Sequence, residues 1–405
     1  MSLLQLQEPN RRVFQWRSIS TWPLFMLAFR PLFLLAASLS VVSISVWALI
    51  LTGNISWHAP YPATFWHVHE MLFGVVAAVV AGFLLTAAKN WTQQQTLNGK
   101  ALLLLCCVWL AARLSFFIND LGLTFTLGLQ MLFWLLVIIN LSHVIITAQS
   151  RHNRVFIFIT ALLCSCNALF LILLRSQDYQ LVSDIAQSSL MAYLLLIGVV
   201  GGRVIPFFIA RGTNTPQAPR SLRLDRSIFI VALAALPSYL WQMKGAPHFI
   251  LSTVLAILAL LHLKRACDWF NRKLIKVPLL WSLYLSYLTV ALGLLLLAYS
   301  NSWASEHVKS HLHLVAITGM GLMILAMMSR VTLGHTGRAL ETGFVTTVAY
   351  SCIATSGLLR ALLGHFISPH LSWLLSALVW VLGFALFLYT YAPMLLQKRI
   401  DGHVG

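Results

Sequence analysis

The stretch Trp66-His67-Val68-His69-Glu70-Met71 stands at the start of a long apolar run, residues 72–88. Two imidazoles, a carboxylate and a thioether therefore lie at the mouth of a segment long enough to cross a bilayer. Ionisable residues are costly at that depth and are functional candidates by default. A similar stretch lies far down the chain, where His311 and His313 precede the apolar run 314–328. We expect the fold to bring these two helices together.

The composition is that of a membrane protein. Of the 405 residues, 59% are hydrophobic and 9% are charged, whereas soluble domains carry about a quarter charged residues. The net charge of +17 does not indicate nucleic-acid binding, because cations beside apolar segments set membrane orientation and contact anionic lipid. The first 20 residues are polar and basic, so no cleavable signal peptide is predicted. The six cysteines form no CxxCH motif, which excludes covalent c-type haem.

Twelve segments have the roughly 20 mostly apolar residues that a spanning helix needs. They are 32–52, 66–88, 101–118, 121–148, 155–174, 185–210, 227–243, 249–263, 277–299, 311–333, 344–363 and 371–396. The sequence thus predicts an all-α polytopic membrane protein, a single integral membrane domain over residues 1–405.

Basic residues alternate from one connecting segment to the next. One set of alternate segments is rich in them: Arg11, Arg12, Arg17, Arg30, Lys89, Lys100, Arg151, Arg154, Arg211, Arg220, Arg223, Arg226, Lys264, Arg265, Arg272, Lys273, Lys276, Arg330, Arg338, Lys398 and Arg399. The other set holds Arg175, Lys244 and Lys309. Since basic residues concentrate on the cytoplasmic side, both termini are predicted to be cytoplasmic. The N-terminal segment 1–28 and the basic loops 211–226 and 264–276 are then cytoplasmic as well.

The polar helices of this topology are four apart in the chain, the second, sixth and tenth. All three run inward from the outer face, which puts the His67 and His313 ends at the same depth. The sixth ends with Gly201-Gly202-Arg203 and the tenth with Ser329-Arg330. This spacing predicts three four-helix units around a pseudo-threefold axis.

The outer stretch has the side chains of a metal site, since neutral imidazole is a good ligand for haem iron, copper and zinc. His67 and His69 are two residues apart, or about 200° around a regular helix, so they can grip one ion only at an irregular turn. His67 and Met71 share a face, a pairing that suits haem iron or cuprous copper. Alternatively, one histidine caps the helix and Met71 packs against lipid or the protein core. Glu70 either orients a ligand histidine, relays protons, or faces water near the helix N-terminus.

Several cations collect at the predicted inner ends of the helices. They are Arg30, Arg203, Arg330 and Arg338, together with His335. Arginine forks bind carboxylates bidentately, so haem propionates or phosphate are the expected partners, with snorkelling to lipid headgroups as the alternative. Arg113 and Arg360 can play the same part near the outer face.

Four blocks of sequence carry a family resemblance. They are Phe29-Arg30-Pro31-Leu32-Phe33, His67-Val68-His69-Glu70-Met71 with its continuation to Asn90-Trp91-Thr92, Gly201-Gly202-Arg203-Val204-Ile205-Pro206, and His313 through Leu333-Gly334-His335-Thr336-Gly337-Arg338. In these blocks the chain resembles the NnrS family. The resemblance implies a twelve-helix protein of the bacterial inner membrane that contains haem and copper and lessens nitrosative stress. Ala88-Lys89 departs from the pattern, which has a proline before Asn90-Trp91, and His311 lies outside it.

Together these observations predict defence against nitric oxide at a metal centre. A b-type haem, alone or beside copper, would bind or reduce NO or a nitrosyl species. The expected ligands are His67, His69 and His313, with His311 and Met71 as further metal ligands; His335 and the inner arginines would serve a second haem or the propionates. As an NO reductase, the protein would be a haem-dependent oxidoreductase with Glu70 as the catalytic proton donor and a separate electron donor.

Two other functions are open at this point. A twelve-helix transporter of an anion, a metal chelate or haem would use the same arginines, although it should show six-helix repeats. A haem-based sensor or metal-insertion factor is the third possibility.

Overall fold

A computed structural model describes residue 19 and residues 22–118, 121–243 and 245–402. Arg11, Arg12 and Arg17 of the predicted cytoplasmic segment lie outside the described residues, as does Lys244. The described residues form twelve helices long and apolar enough to cross a membrane, and they contain no strand. These are α1 (Phe29–Leu51), α2 (Ala63–Thr92), α3 (Gly99–Phe117), α4 (Gly122–Thr147), α5 (Arg151–Arg175), α6 (Tyr179–Thr213), α7 (Leu222–Gln242), α8 (His248–Trp269), α9 (Pro278–Trp303), α10 (Ser305–His335), α11 (Phe344–Leu362) and α12 (Pro369–Leu396).

The predicted all-α polytopic class is confirmed, and each predicted segment lies within or over one of the twelve helices. The helix ends differ from the prediction. α8 continues to Trp269, through the first part of the basic segment 264–276 that was predicted as a loop. Lys264 and Asp268 pair across one helical turn at 2.8 Å, an arrangement that stabilises a helix beyond its apolar part. The cytoplasmic placement of both termini stays a prediction.

The packing order repeats every four helices. α4 packs on α5, α8 on α9, and α12 on α1, so the bundle closes on itself. In each group of four, the second helix contacts both the first and the fourth. These second helices, α2, α6 and α10, are the longest of the twelve described, with 30, 35 and 31 residues. This repeat agrees with three four-helix units, whose threefold symmetry stays a prediction.

Among the described residues, two helices have π-helical turns, and each begins within two residues of a His-x-His stretch. In α2 the π-helix covers Glu70–Val76, and in α10 it covers Val315–Gly321. A π-helical turn disturbs the regular i to i−4 ladder and frequently marks a functional site. In α2 three consecutive carbonyls accept bonds from side chains of other helices. They are Leu72 from Tyr193 (2.7 Å), Phe73 from Gln130 (3.1 Å) and Gly74 from Trp109 (3.2 Å).

The π-helix of α10 is packed tightly by α11, which gives a prediction about stability. A Cβ added at Gly357 would clash with Oγ1 of Thr318, whose hydroxyl donates to the Ala354 carbonyl. We expect Gly357→Ala to lower the free energy of unfolding by about 1–3 kcal/mol, because overpacking forces the helices apart. Gly128→Ala in α4 is the control, since nothing lies within 4 Å of its added Cβ. Equal thermal unfolding of both variants in detergent would contradict this close approach.

Candidate functional site

A cavity of about 1050 Å³ lies at the centre of the bundle. Residues of α2, α6 and α10 line it, and residues of α1, α7, α8, α9, α11 and α12 complete its wall; His248 of α8 is a third histidine among them. His67 and Met71 of α2 reach this cavity, as does His313 of α10. The fold therefore brings together the two histidine-bearing helices, as the sequence predicts. The volume is at the upper end of the range for small-molecule sites, about 300–1,000 Å³, and far exceeds what a diatomic gas needs.

His67 is held by stacking. Its ring lies on the indole of Trp47, with centroids 4.8 Å apart and planes 14° from parallel. Its Nδ1 is buried and has no hydrogen-bond partner. Buried ring nitrogens are normally bonded, so an orphaned one in a cavity wall indicates a missing ligand or water.

His313 is held by a hydrogen bond instead. Its Nδ1 lies 2.7 Å from the carbonyl oxygen of Lys309, one turn earlier in α10. A carbonyl only accepts, so Nδ1 carries the proton and Nε2 keeps its lone pair. This arrangement orients metal-ligating histidines in many proteins.

The donor set limits which metals fit. No group of three or more His, Cys, Asp or Glu side chains able to hold an ion occurs among the described residues. Structural zinc sites need four such ligands, so two imidazoles with the thioether of Met71 suit haem iron or cuprous copper better. The cavity residues thus fit a macrocycle held through one or both imidazoles.

His69 lies on the other side of α2 and does not line the cavity. Its Nδ1 is 3.1 Å from Oε1 of Glu70, and its Nε2 is 3.1 Å from Nδ2 of Asn167. Nε2 of Gln130 is 3.4 Å from the same ring nitrogen. Both ring nitrogens are therefore engaged and the side chain is fully buried. His67, His69 and His313 were expected to converge, and this is wrong for His69. Residues two positions apart on a helix, such as His67 and His69, point to nearly opposite faces.

Glu70 belongs to the same buried cluster. Nε of Arg113 lies 3.1 Å from its Oε2, an ion pair without hydrogen-bond alignment. The two side chains are 1% and 7% exposed, so each charge depends on the other for compensation. Arg113 also lies against the Trp109 ring, at 5.1 Å. Neither Glu70 nor Arg113 lines the central cavity, and the alternative that Glu70 faces water is wrong, because its side chain is buried.

The inner cations fall into separate places. Arg30 donates to the carbonyls of Leu395 (3.1 Å) and Gln397 (2.6 Å) at the end of α12. Near it lie His335, whose ring is 5.4 Å from Phe29, and Arg338, which donates to the Thr336 carbonyl.

Two further cations of this group lie elsewhere. Arg330 lies on the Phe208 ring at 3.7 Å. Arg203 donates to Asn153 and to the His152 carbonyl, both at 2.9 Å, beside a second cavity of about 650 Å³. None of the inner cations lines the central cavity. His311, ranked below His313 from sequence, is buried with its ring 6.2 Å from that of His307.

A family model described as NnrS protein matches residues 23–399, nearly the whole chain. The chain belongs to the NnrS family. The resemblance seen in the sequence is thereby confirmed, and NnrS membership suggests a role in the nitric oxide response. No curated protein matches the chain.

Two cavity residues of this NnrS chain are not singled out by the sequence patterns. Trp47 reads as an ordinary aromatic of α1, and only the fold shows it stacked on His67. Asp184 lines the cavity from α6 and accepts a bond from Gln180 at 3.2 Å. A signal for Asp184 exists in the sequence, since it is a carboxylate directly before the predicted span 185–210.

The contacts of Arg203 lead to a second prediction. Arg203→Lys keeps the charge but loses the fork that reaches Asn153 and the His152 carbonyl together. We expect the free energy of unfolding in detergent to fall by about 1 kcal/mol, with unchanged cofactor content. Arg223→Lys, at an exposed position of α7, is the control. Lower cofactor content with unchanged stability would instead favour a propionate partner for Arg203.

Proposed function

We propose that this protein protects bacteria against nitric oxide and nitrosative stress by binding NO or a nitrosyl species in the inner membrane. The binding site is the central cavity, with a b-type haem, alone or beside copper, held by His67 and His313. One observation carries the proposal: two imidazoles from distant helices share one large cavity, each with a ring nitrogen not bonded to protein. Family membership supplies the link to nitric oxide.

Each part of the chain has a defined task in this proposal. His67, stacked on Trp47, and His313, bonded to the Lys309 carbonyl, are the residues of which one or both would hold the metal. Met71 lies on the His67 face and is the candidate for a copper. A bound haem iron or cuprous copper supplies the coordination position for NO. His69 and Glu70 do not touch the ligand; they hold α2 in position through contacts on the face away from the cavity.

The location of the cavity suits an apolar gas. NO dissolves in hydrocarbon and reaches a site between membrane helices without a polar channel. Reduction of NO needs electrons and protons in addition, so the reductase form of the proposal requires a separate electron donor. Asp184, a carboxylate in the cavity wall, replaces Glu70 as the candidate proton donor.

Transport of an anion, a metal chelate or haem is the second candidate. The size of the cavity and the presence of Arg360 in its wall favour it. Against it, the packing repeats every four helices rather than every six.

The test is spectroscopic. The full-length protein, purified in detergent, is examined by reduced-minus-oxidised absorbance, metal analysis and anaerobic titration with NO. We expect haem bands at about one haem per chain and a spectral change on addition of NO. Protein that contains neither iron nor copper and shows no change with NO would overturn the proposal, and transport would then lead.

A further inference from the structure

Arg360 forms no ion pair with any carboxylate of the described residues. It lies in the last turn of α11 and lines the central cavity. Its one contact of a polar or ring kind among the described residues is with the Trp373 ring, at 5.0 Å from the centroid. No carboxylate pairs with it, and Asp184, on the α6 wall of the same cavity, is bonded to Gln180. A guanidinium cannot give up its proton, so the charge persists in the cavity.

Most of the other buried or half-buried arginines of the spans have a polar partner. Arg113 pairs with Glu70, Arg265 pairs with Asp225, and Arg203 donates to Asn153. Arg330 resembles Arg360 in its aromatic contact, but it lines neither cavity. Arg360 is half-buried, and a charge that is partly removed from water is costly unless it is paired. The unpaired guanidinium therefore indicates that the cavity ligand carries an anionic group.

The place of Arg360 points to the kind of anion. Arg360 lines the same cavity as His67 and His313, so a ligand held by those imidazoles lies in the space that its guanidinium faces. A porphyrin held by those imidazoles has carboxylates at one edge, and planar guanidinium forks bind carboxylates bidentately. The contact with the Trp373 ring restricts where the guanidinium lies in the cavity wall.

We infer that Arg360 binds a propionate carboxylate of the porphyrin in the central cavity. The inference rests on the proposed function and assigns the propionate role to this residue rather than to the inner arginines. A free anion such as nitrite shares the same recognition chemistry, and the experiment distinguishes the two.

The experiment is a cycle that removes one partner at a time. Full-length apoprotein in detergent is titrated with haem and with haem dimethyl ester, and Kd is taken from the Soret absorbance. For the wild type we expect the ester to bind about tenfold more weakly than haem, as loss of a charge-assisted bond implies. Arg360→Gln should weaken haem by a similar factor and bind both ligands equally. Arg175→Gln, at the exposed end of α5, should behave as wild type.

The outcomes separate the claims. If Arg360→Gln still prefers haem over the ester as the wild type does, or if the wild type itself binds both equally, the inference is overturned. If nitrite shifts the Soret band of the wild type but not of Arg360→Gln, and esterification has no effect, Arg360 binds a free anion instead. The proposed function fails separately, when His67→Ala and His313→Ala bind haem as tightly as the wild type. The wild-type comparison decides the matter even if Arg360→Gln does not fold.

Discussion

Replacement of His67 or His313 by alanine is expected to lower the haem or copper content of the purified protein by at least about tenfold. Changes in the groups that merely orient a ligand already cost 10–100-fold in metal affinity, and these residues are the proposed ligands themselves. Insertion should continue, because it depends on the long apolar helices. The measurement is metal and haem content per folded chain, with the absorbance spectrum.

Three other histidines make this test specific. His370→Ala is the control, since its Nε2 donates to the Leu51 carbonyl and its side chain does not line the cavity. His311→Ala should have a smaller effect than His313→Ala, because His311 does not line the cavity. His69→Ala should act through stability, since its ring is bonded at both nitrogens. Full haem and copper in both His67→Ala and His313→Ala would refute the proposed site.

Glu70→Ala is expected to be the most destabilising of the changes discussed, by about 3–5 kcal/mol in the free energy of unfolding. It leaves the Arg113 guanidinium buried without its counter-charge and His69 Nδ1 without an acceptor. The start of the α2 π-helix would lose its support at the same time. Unfolding by SDS or heat in detergent micelles measures the change.

Two variants show whether the ion pair is the cause. The double replacement Glu70→Leu with Arg113→Met removes both charges and should recover much of the stability, as apolar replacement of a buried pair commonly does. Asp268→Ala breaks the exposed pair with Lys264 and should cost less than about 1 kcal/mol. An effect of Glu70→Ala no larger than that of Asp268→Ala would mean that the buried pair contributes little.

The two faces of α2 have different roles: one packs into the buried cluster of His69, Glu70 and Arg113, and the other lines the cavity. His69 and Glu70 fasten one face to Asn167, Gln130 and Arg113, while the opposite face presents His67 to the cavity. The side-chain donors to the π-helix hold the same turn from α3, α4 and α6. The backbone of α2 next to His67 is therefore held in place by contacts on the opposite face of the helix. This favours a constant position of the His67 ring.

The sequence by itself determined the class, the number of spans and the position of the histidines at the start of α2 and α10. These features follow from local composition, because a bilayer requires about 20 apolar residues per helix and internal pairing of the backbone. The family was also readable, since its four blocks are contiguous in the chain.

Only the tertiary structure decided which histidine faces the central cavity. The sequence places His67 and His69 about 200° apart on a helix, but it does not say which face meets the cavity. That choice depends on Trp47, Asn167 and Arg113, which lie on other helices. The same holds for the arginines: Arg30 and Arg203 found partners in other helices, and Arg360 did not. The role of a buried arginine depends on the groups that contact its guanidinium. In a helical bundle those groups lie on other helices, far away in the sequence.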